Sequence, residues 1–201
     1  MSDRVAIDVS GLPTTTFGHR DLAWWATVGF IFIEGTTLVI TAVTYFYLRR
    51  NFPHWPPPPT PLPDLSIGVL QVGLMALSWI PVGLVDRAAH RLDRTAIRRW
   101  LVVVSAFGIA FVVVRALELH AVHTRWNANA YGSSVWLVLV GHGTLLLVEA
   151  LEILVITAVF FTARVTERHC SDTSDAAVYW YFMTGIWIPL AAMLYLVPRL
   201  G

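Results

Sequence analysis

Five stretches of this chain are each long and apolar enough to cross a lipid bilayer, and that constrains the fold more than any other feature. A spanning helix needs about 20 mostly apolar residues, because each adds about 1.5 Å toward a hydrocarbon core about 30 Å thick. The stretches cover 22–48, 65–85, 100–119, 134–163 and 177–197. Strands are excluded, since the apolar runs are too long and lack the alternation a membrane barrel needs. The expected fold class is all-α: a polytopic membrane helical bundle with five transmembrane helices, in a single membrane domain over 1–201. The first and fourth stretches exceed what a perpendicular helix requires, so those helices are expected to tilt or project.

Composition excludes the other classes. Hydrophobic residues make up 56% and charged residues 13% of the chain. A soluble domain is roughly 45–50% apolar and about a quarter charged, so this chain cannot coat a water-facing surface. Disordered chains are poor in apolar residues and rich in charge, the reverse of what is seen. A formal net charge of +1 gives no electrostatic footprint for nucleic acid. The single cysteine, Cys170, allows neither an intrachain disulfide nor a thiolate metal cluster. Asp3, Arg4 and Asp8 precede the first apolar run, a start unlike that of a cleavable signal. All 14 basic residues are arginine, which reads as genome base composition.

The connections are short. Arg49 and Arg50 lead into a Pro-rich loop over 53–63, where prolines forbid a helix and favour a stiff extended segment. The loop 86–99 carries five arginines, and the last connection is expected over 163–175. No internal repeat is apparent, which argues against transporter folds built from inverted repeats. Arg4, Arg20, Arg87, Arg91, Arg94, Arg98, Arg99, Arg164 and Arg168 fall on one side of the membrane, and Arg49, Arg50, Arg125 and Arg199 on the other. The excess puts the N-terminus in the cytoplasm and the C-terminus outside. Trp24, Trp25, Trp55, Trp100 and Trp126 lie near helix ends, where an interfacial aromatic belt is expected.

Ionisable residues at membrane depth need a partner, a cavity or a neutral state. Glu34 lies near the middle of the first helix, and Arg115 and Glu118 lie three apart on the third, close enough to pair on one face. His142 and Glu149 are almost two full turns apart on the fourth helix, with Glu152 three residues further on nearly the same stripe. That stripe should face another helix, as an interhelical clamp or as a proton-linked or lipid-headgroup site. For Glu34 three readings stand: an interhelical hydrogen bond, part of a proton route, or contact with a partner subunit. Gly35, Thr36 and Thr37 would let a neighbouring helix approach closely.

Catalysis has little support. Zinc needs three or four ligands and haem an axial histidine, yet His19, His54, His90 and His169 fall in tails or loops. His120 and His123 form a pair near one interface that needs further ligands. There is no Gly-rich phosphate loop and no Ser-His-Asp arrangement, and no polar stripe repeats through several helices as a channel would require. No residue is assigned as catalytic, cofactor-binding or metal-ligating.

In ordered blocks the chain resembles subunit III of the haem–copper cytochrome c oxidases, in the short five-helix bacterial form. Residues 29–47 place Glu34 in an aromatic-rich helix before a Trp55-Pro56-Pro57 turn. Tyr131-Gly132-Ser133 leads to Gly141-His142-Gly143, and Glu118 stands where the family carries an acid, about a dozen residues earlier. Tyr179-Trp180-Tyr181-Phe182 is followed by Trp187 and Tyr195. The branch is divergent. Leu145 replaces a histidine, Tyr181 another histidine, Thr184 an aspartate, Arg115 a common glutamine and Glu149 a glycine.

The resemblance implies a non-catalytic component of a terminal respiratory oxidase, in the aerobic electron transport chain of a bacterial inner membrane. It would hold no cofactor, with haem and copper in the partner subunit I. It would support that catalytic subunit, bound phospholipid and cytoplasmic proton uptake. The alternatives are a subunit III-like protein of a quinol oxidase or nitric oxide reductase system, a membrane assembly factor, and a small transporter subunit.

Overall fold

The computed structural model describes residues 15–162 and 164–200. Arg4, counted above for orientation, and Ala163, the expected end of the fourth helix, lie outside the described residues. The described chain forms five long helices and no strand: α1 (Leu22–Arg50), α2 (Leu65–His90), α3 (Arg94–His120), α4 (Ala130–Thr162) and α5 (Glu167–Ala191). A π-wound turn, Ala192–Leu196, and a 3-10 turn, Val197–Arg199, continue the last helix. All five are long and apolar enough to cross a membrane.

Three helices run well beyond what hydropathy indicated. α2 and α3 reach far into 86–99, leaving a three-residue turn in which the Asp93 carboxylate accepts from the N–H groups of Thr95 and Ala96 at 3.1 and 3.0 Å. That cap satisfies orphan donors at the start of α3 and lets a polar sequence continue as helix. Similarly, α5 begins ten residues before the expected 177. The Thr166 N–H donates to His169 Nδ1 at 3.1 Å, across the first turn. Most of the expected last loop is therefore helix. Hydropathy marks where a helix meets lipid, whereas capping decides where it starts.

α2, α3, α4 and α5 form a bundle, and α1 lies against the edge made by α4 and α5. Polar side chains join the bundle helices at membrane depth, where no water competes for the bond. Trp180 Nε1 on α5 donates to Ser78 Oγ on α2 at 2.9 Å, and Trp79 Nε1 donates to Thr184 Oγ1 at 2.8 Å. Ser105 and Thr157 join α3 to α4 at 2.9 Å. Arg98 Nε donates to the Phe160 carbonyl at 2.6 Å, one of the last α4 carbonyls that lack a partner within the helix. α1 is different. Only Leu38 and Tyr45 are buried on it, while Phe32 and Ile33 are 71% and 67% exposed, which suits contact with lipid.

The Pro-rich loop folds back over the end of the bundle where α1 ends and α2 begins. Trp55 is buried there, edge-on to Tyr45 of α1 and Tyr131 of α4 with ring centroids 5.4 and 5.3 Å apart. Asn129 Nδ2 donates to Thr60 Oγ1 at 2.7 Å, and Arg199 Nη2 to the Pro63 carbonyl at 2.6 Å. Trp55 is thus a packing residue between two helices and no member of an interfacial belt. Its nearness to a helix end misled because the loop turns inward. Trp25 and Trp126 are exposed, as belt residues are.

Candidate functional site

The buried ionisable residues form two groups. One is centred on Arg115. From α3 its Nη1 approaches Glu118 Oε2 at 2.7 Å, one turn along the same helix. Its Nη2 lies 3.0 Å from His142 Nδ1 on α4. A guanidinium has only donors, so Nδ1 must be the lone-pair nitrogen of the ring. Nε2 then carries the proton and donates it to the Met183 carbonyl of α5 at 3.0 Å. His142 is therefore a neutral imidazole with both nitrogens committed. Trp187 of α5 closes the group: its ring lies 3.7 Å from the guanidinium carbon and stacks on His142 at 4.7 Å. Tyr195, in the π-wound turn, donates its hydroxyl proton to Glu118 Oε1.

Small residues make room for these contacts. The Arg115 side chain crosses α4 over Gly143, where a Cβ would stand 3.0 Å from Arg115 Cγ. The Tyr195 ring lies against Gly68 of α2, where a Cβ would fall 2.5 Å from the ring. An acid, a base, an imidazole, an indole and a phenol thus join α3, α4 and α5 at one point, with α2 behind them. One positive and one negative charge balance within the group. The arrangement can clamp helices; it leaves no free lone pair on His142.

The second group lies under α1. Tyr179 of α5 donates its hydroxyl proton to Glu34 Oε2, the interhelical hydrogen bond that was one of three readings of Glu34. Beside it opens a cleft of about 390 Å³ between α1, α4 and α5, lined by Glu34, Glu152, Asp172, Asp175 and apolar residues. Glu149 lies in the bundle beside Gly108, Phe111 and Trp180, with Glu152 and Glu34 of the cleft as its charged neighbours. It is 2% exposed, and neither carboxyl oxygen has a hydrogen-bond partner among the described residues.

His142, Glu149 and Glu152 therefore do not make one site. His142 belongs to the Arg115 group, Glu149 stands in the core and Glu152 lines the cleft. The reason is rotational: three residues advance a helix by about 300°, so Glu152 stands about 60° round from Glu149, enough to turn it toward α1. Spacing marked the Arg115 and Glu118 pair but could not reach Trp187, Tyr195 or Tyr179, which come from another helix. Asp172 and Asp175 were missed because they fell in a stretch read as loop. His123, considered above with His120, instead meets Asp64 at 3.2 Å. Among the described residues no group of three or more His, Cys, Asp or Glu is placed to hold a metal ion.

Fold and site together define a class: a small multi-pass membrane protein in which one group of interior charges joins its own helices and a second group of acids borders a cleft. Comparison with known proteins narrows it. The pattern of the family described as cytochrome c oxidase subunit III matches residues 53–198. Cytochrome c oxidase subunit 3 of Synechocystis is 27% identical over 186 residues, covering 90% of this chain and 78% of that protein. The probable cytochrome c oxidase subunit 3 of Mycobacterium bovis is 30% identical over 151 residues, 72% of each chain. The cytochrome c oxidase subunit 3 of Thermostichus vulcanus is 23% identical over 186 residues, 90% of each chain. This chain belongs to the cytochrome c oxidase subunit III family.

Proposed function

We propose that the chain is the accessory third subunit of a terminal haem–copper oxidase, with haem and copper carried by the catalytic subunit I against which it packs. Its task is mechanical: it holds the catalytic subunit, the phospholipid around it and the proton-uptake surface in working order. The observation that carries this reading is the Arg115 group, a membrane-buried set of polar side chains consumed in joining helices, in a chain of the subunit III family. It sits in a bacterial inner membrane with the N-terminus in the cytoplasm. The excess of arginine on the N-terminal side supports that orientation.

A tagged chain extracted in mild detergent tests the reading. It should co-purify with a haem–copper subunit at fixed stoichiometry, with the haem spectrum in the partner. Recovery only during assembly, and not from the mature complex, would make it an assembly factor. Recovery without any haem protein would sink the reading. In the complex, Glu34→Ala should leave haem content unchanged while weakening assembly or sustained turnover. Full stability and turnover after that change would count against this supporting role.

A further inference from the structure

The cleft under α1 is acidic along its depth, and among the described residues no basic side chain lines it. Glu152 has Asp172 and Glu149 as charged neighbours, and Asp175 has Asp21, Asp172 and Asp86. Arg168 and His169 approach Asp172 at the rim, and Asp86 is met by His90 at 3.6 Å and by the Ser174 hydroxyl at 2.6 Å. Asp21 is already used, accepting from the Ala23 N–H at 3.0 Å and from Ser171 Oγ at 3.2 Å. A second observation points the same way. Asp175 lines the cleft, is only 6% exposed, and its Oδ2 has no hydrogen-bond partner among the described residues. A buried acceptor left unpaired is expensive, more so at membrane depth. The remaining walls are mostly apolar, with Ala23, Ala26, Phe30 and Val148 beside Thr27 and Tyr179, whose hydroxyls already donate to the Ala23 carbonyl and to Glu34. The volume, about 390 Å³, falls in the range of small-molecule sites.

We propose that this cleft binds an amphiphilic organic cation, its ammonium group donating to Asp175, Glu152 and Asp172 and its apolar part lying along Ala26, Phe30 and Val148. An ammonium supplies donors and the missing positive charge together. An anionic headgroup would meet only like charge. The ligand is either the ammonium head of a membrane lipid or a free amphiphilic amine. The inference deepens the lipid part of the proposed function. Its test runs on this chain without partner subunits, so either can fail while the other stands.

The full chain is placed in lipid nanodiscs. In the first arm the discs hold equal amounts of phosphatidylethanolamine and phosphatidylglycerol, and native mass spectrometry reads which lipid stays bound. Phosphatidylethanolamine should be enriched about tenfold, the discrimination one hydrogen bond to a charged group supplies. In the second arm the discs hold phosphatidylglycerol alone, and spin-labelled dodecylamine is titrated in with dodecanol as a neutral competitor. Saturable amine binding that dodecanol does not displace, without lipid enrichment, identifies a free amine as the ligand. Asp175→Asn combined with Glu152→Gln should abolish either signal. Asp172→Asn, at the half-exposed rim, should weaken it, which keeps the test open if the double variant fails to fold. No enrichment together with no saturable amine binding would overturn the proposal, and so would binding unchanged in the carboxylate variants.

Discussion

Arg115 and Glu118 lie in the bundle with their charges matched and an imidazole, an indole and a phenol closing the remaining contacts. Under α1, less than the width of the protein away, Glu152 and Asp175 meet chiefly other carboxyl groups. The first region is balanced in charge within the chain, with Arg115 Nε its one guanidinium nitrogen lacking an ion-pair or hydrogen-bond partner among the described residues, and the second is not balanced. Burial alone does not say what an intramembrane charge is for; the partners it has already found do. A finished group fixes helices to one another, whereas an unfinished one calls for something from outside. The helices around them differ accordingly. α3 and α4 are joined by side-chain bonds along their length, while a single described side-chain hydrogen bond, from Tyr179 to Glu34, ties the membrane-embedded part of α1 to α5.

The largest effect should come from unbalancing the finished group. Glu118→Ala leaves the buried guanidinium without its counter-charge, and losing one partner of a buried ion pair costs about 3–5 kcal/mol. Unfolding of the purified chain in mixed detergent micelles should show that loss. Arg115→Met with Glu118→Leu, which removes both charges, should be far milder; equal damage from both would mean that the charge balance is not what holds the helices.

Next comes Gly68→Val, which puts branched carbon where the Tyr195 ring lies and lifts its hydroxyl off Glu118. Overpacking of this kind costs about 1–3 kcal/mol. The same unfolding measurement reads it, and Tyr195→Phe beside it separates lost space from the lost hydrogen bond.

Under α1 the effects should be smaller. Removing the hydrogen bond by Tyr179→Phe should cost roughly 0.6 kcal/mol and at most about 1.7, the range measured for such bonds between membrane helices. A double-mutant cycle with Glu34→Gln should return a coupling energy of the same size, and a coupling as large as that of Arg115 with Glu118 would erase the contrast between the regions. Smallest of all, Val39→Leu on the lipid-facing side of α1 should change stability by no more than about 0.5 kcal/mol in the same assay. A loss of several times that would mean that this face is covered by protein.

The spans were legible because the bilayer imposes a length and a composition that few soluble helices share. The polar ends of α2, α3 and α5 were not, because a capped polar helix and a loop have similar hydropathy. Of the site, only Arg115 with Glu118 could be read directly, since three residues apart on a helix is a local distance. His142 could be named as a buried polar group, but its partnership with Arg115 could not, because the two are 27 residues apart and on different helices.

Length and composition by themselves determined that this chain lives in a membrane as helices, and the ordered blocks pointed to its family. Which acids were satisfied and which were left facing an open cleft was decided only when the helices packed. Helix rotation is set by how side chains fit across an interface, as where Arg115 crosses Gly143 and Tyr195 meets Gly68. A rotation of about 60° is enough to send Glu149 into the core and Glu152 to the cleft. Spacing along one helix carries no information about that rotation, since it depends on the neighbours the helix meets.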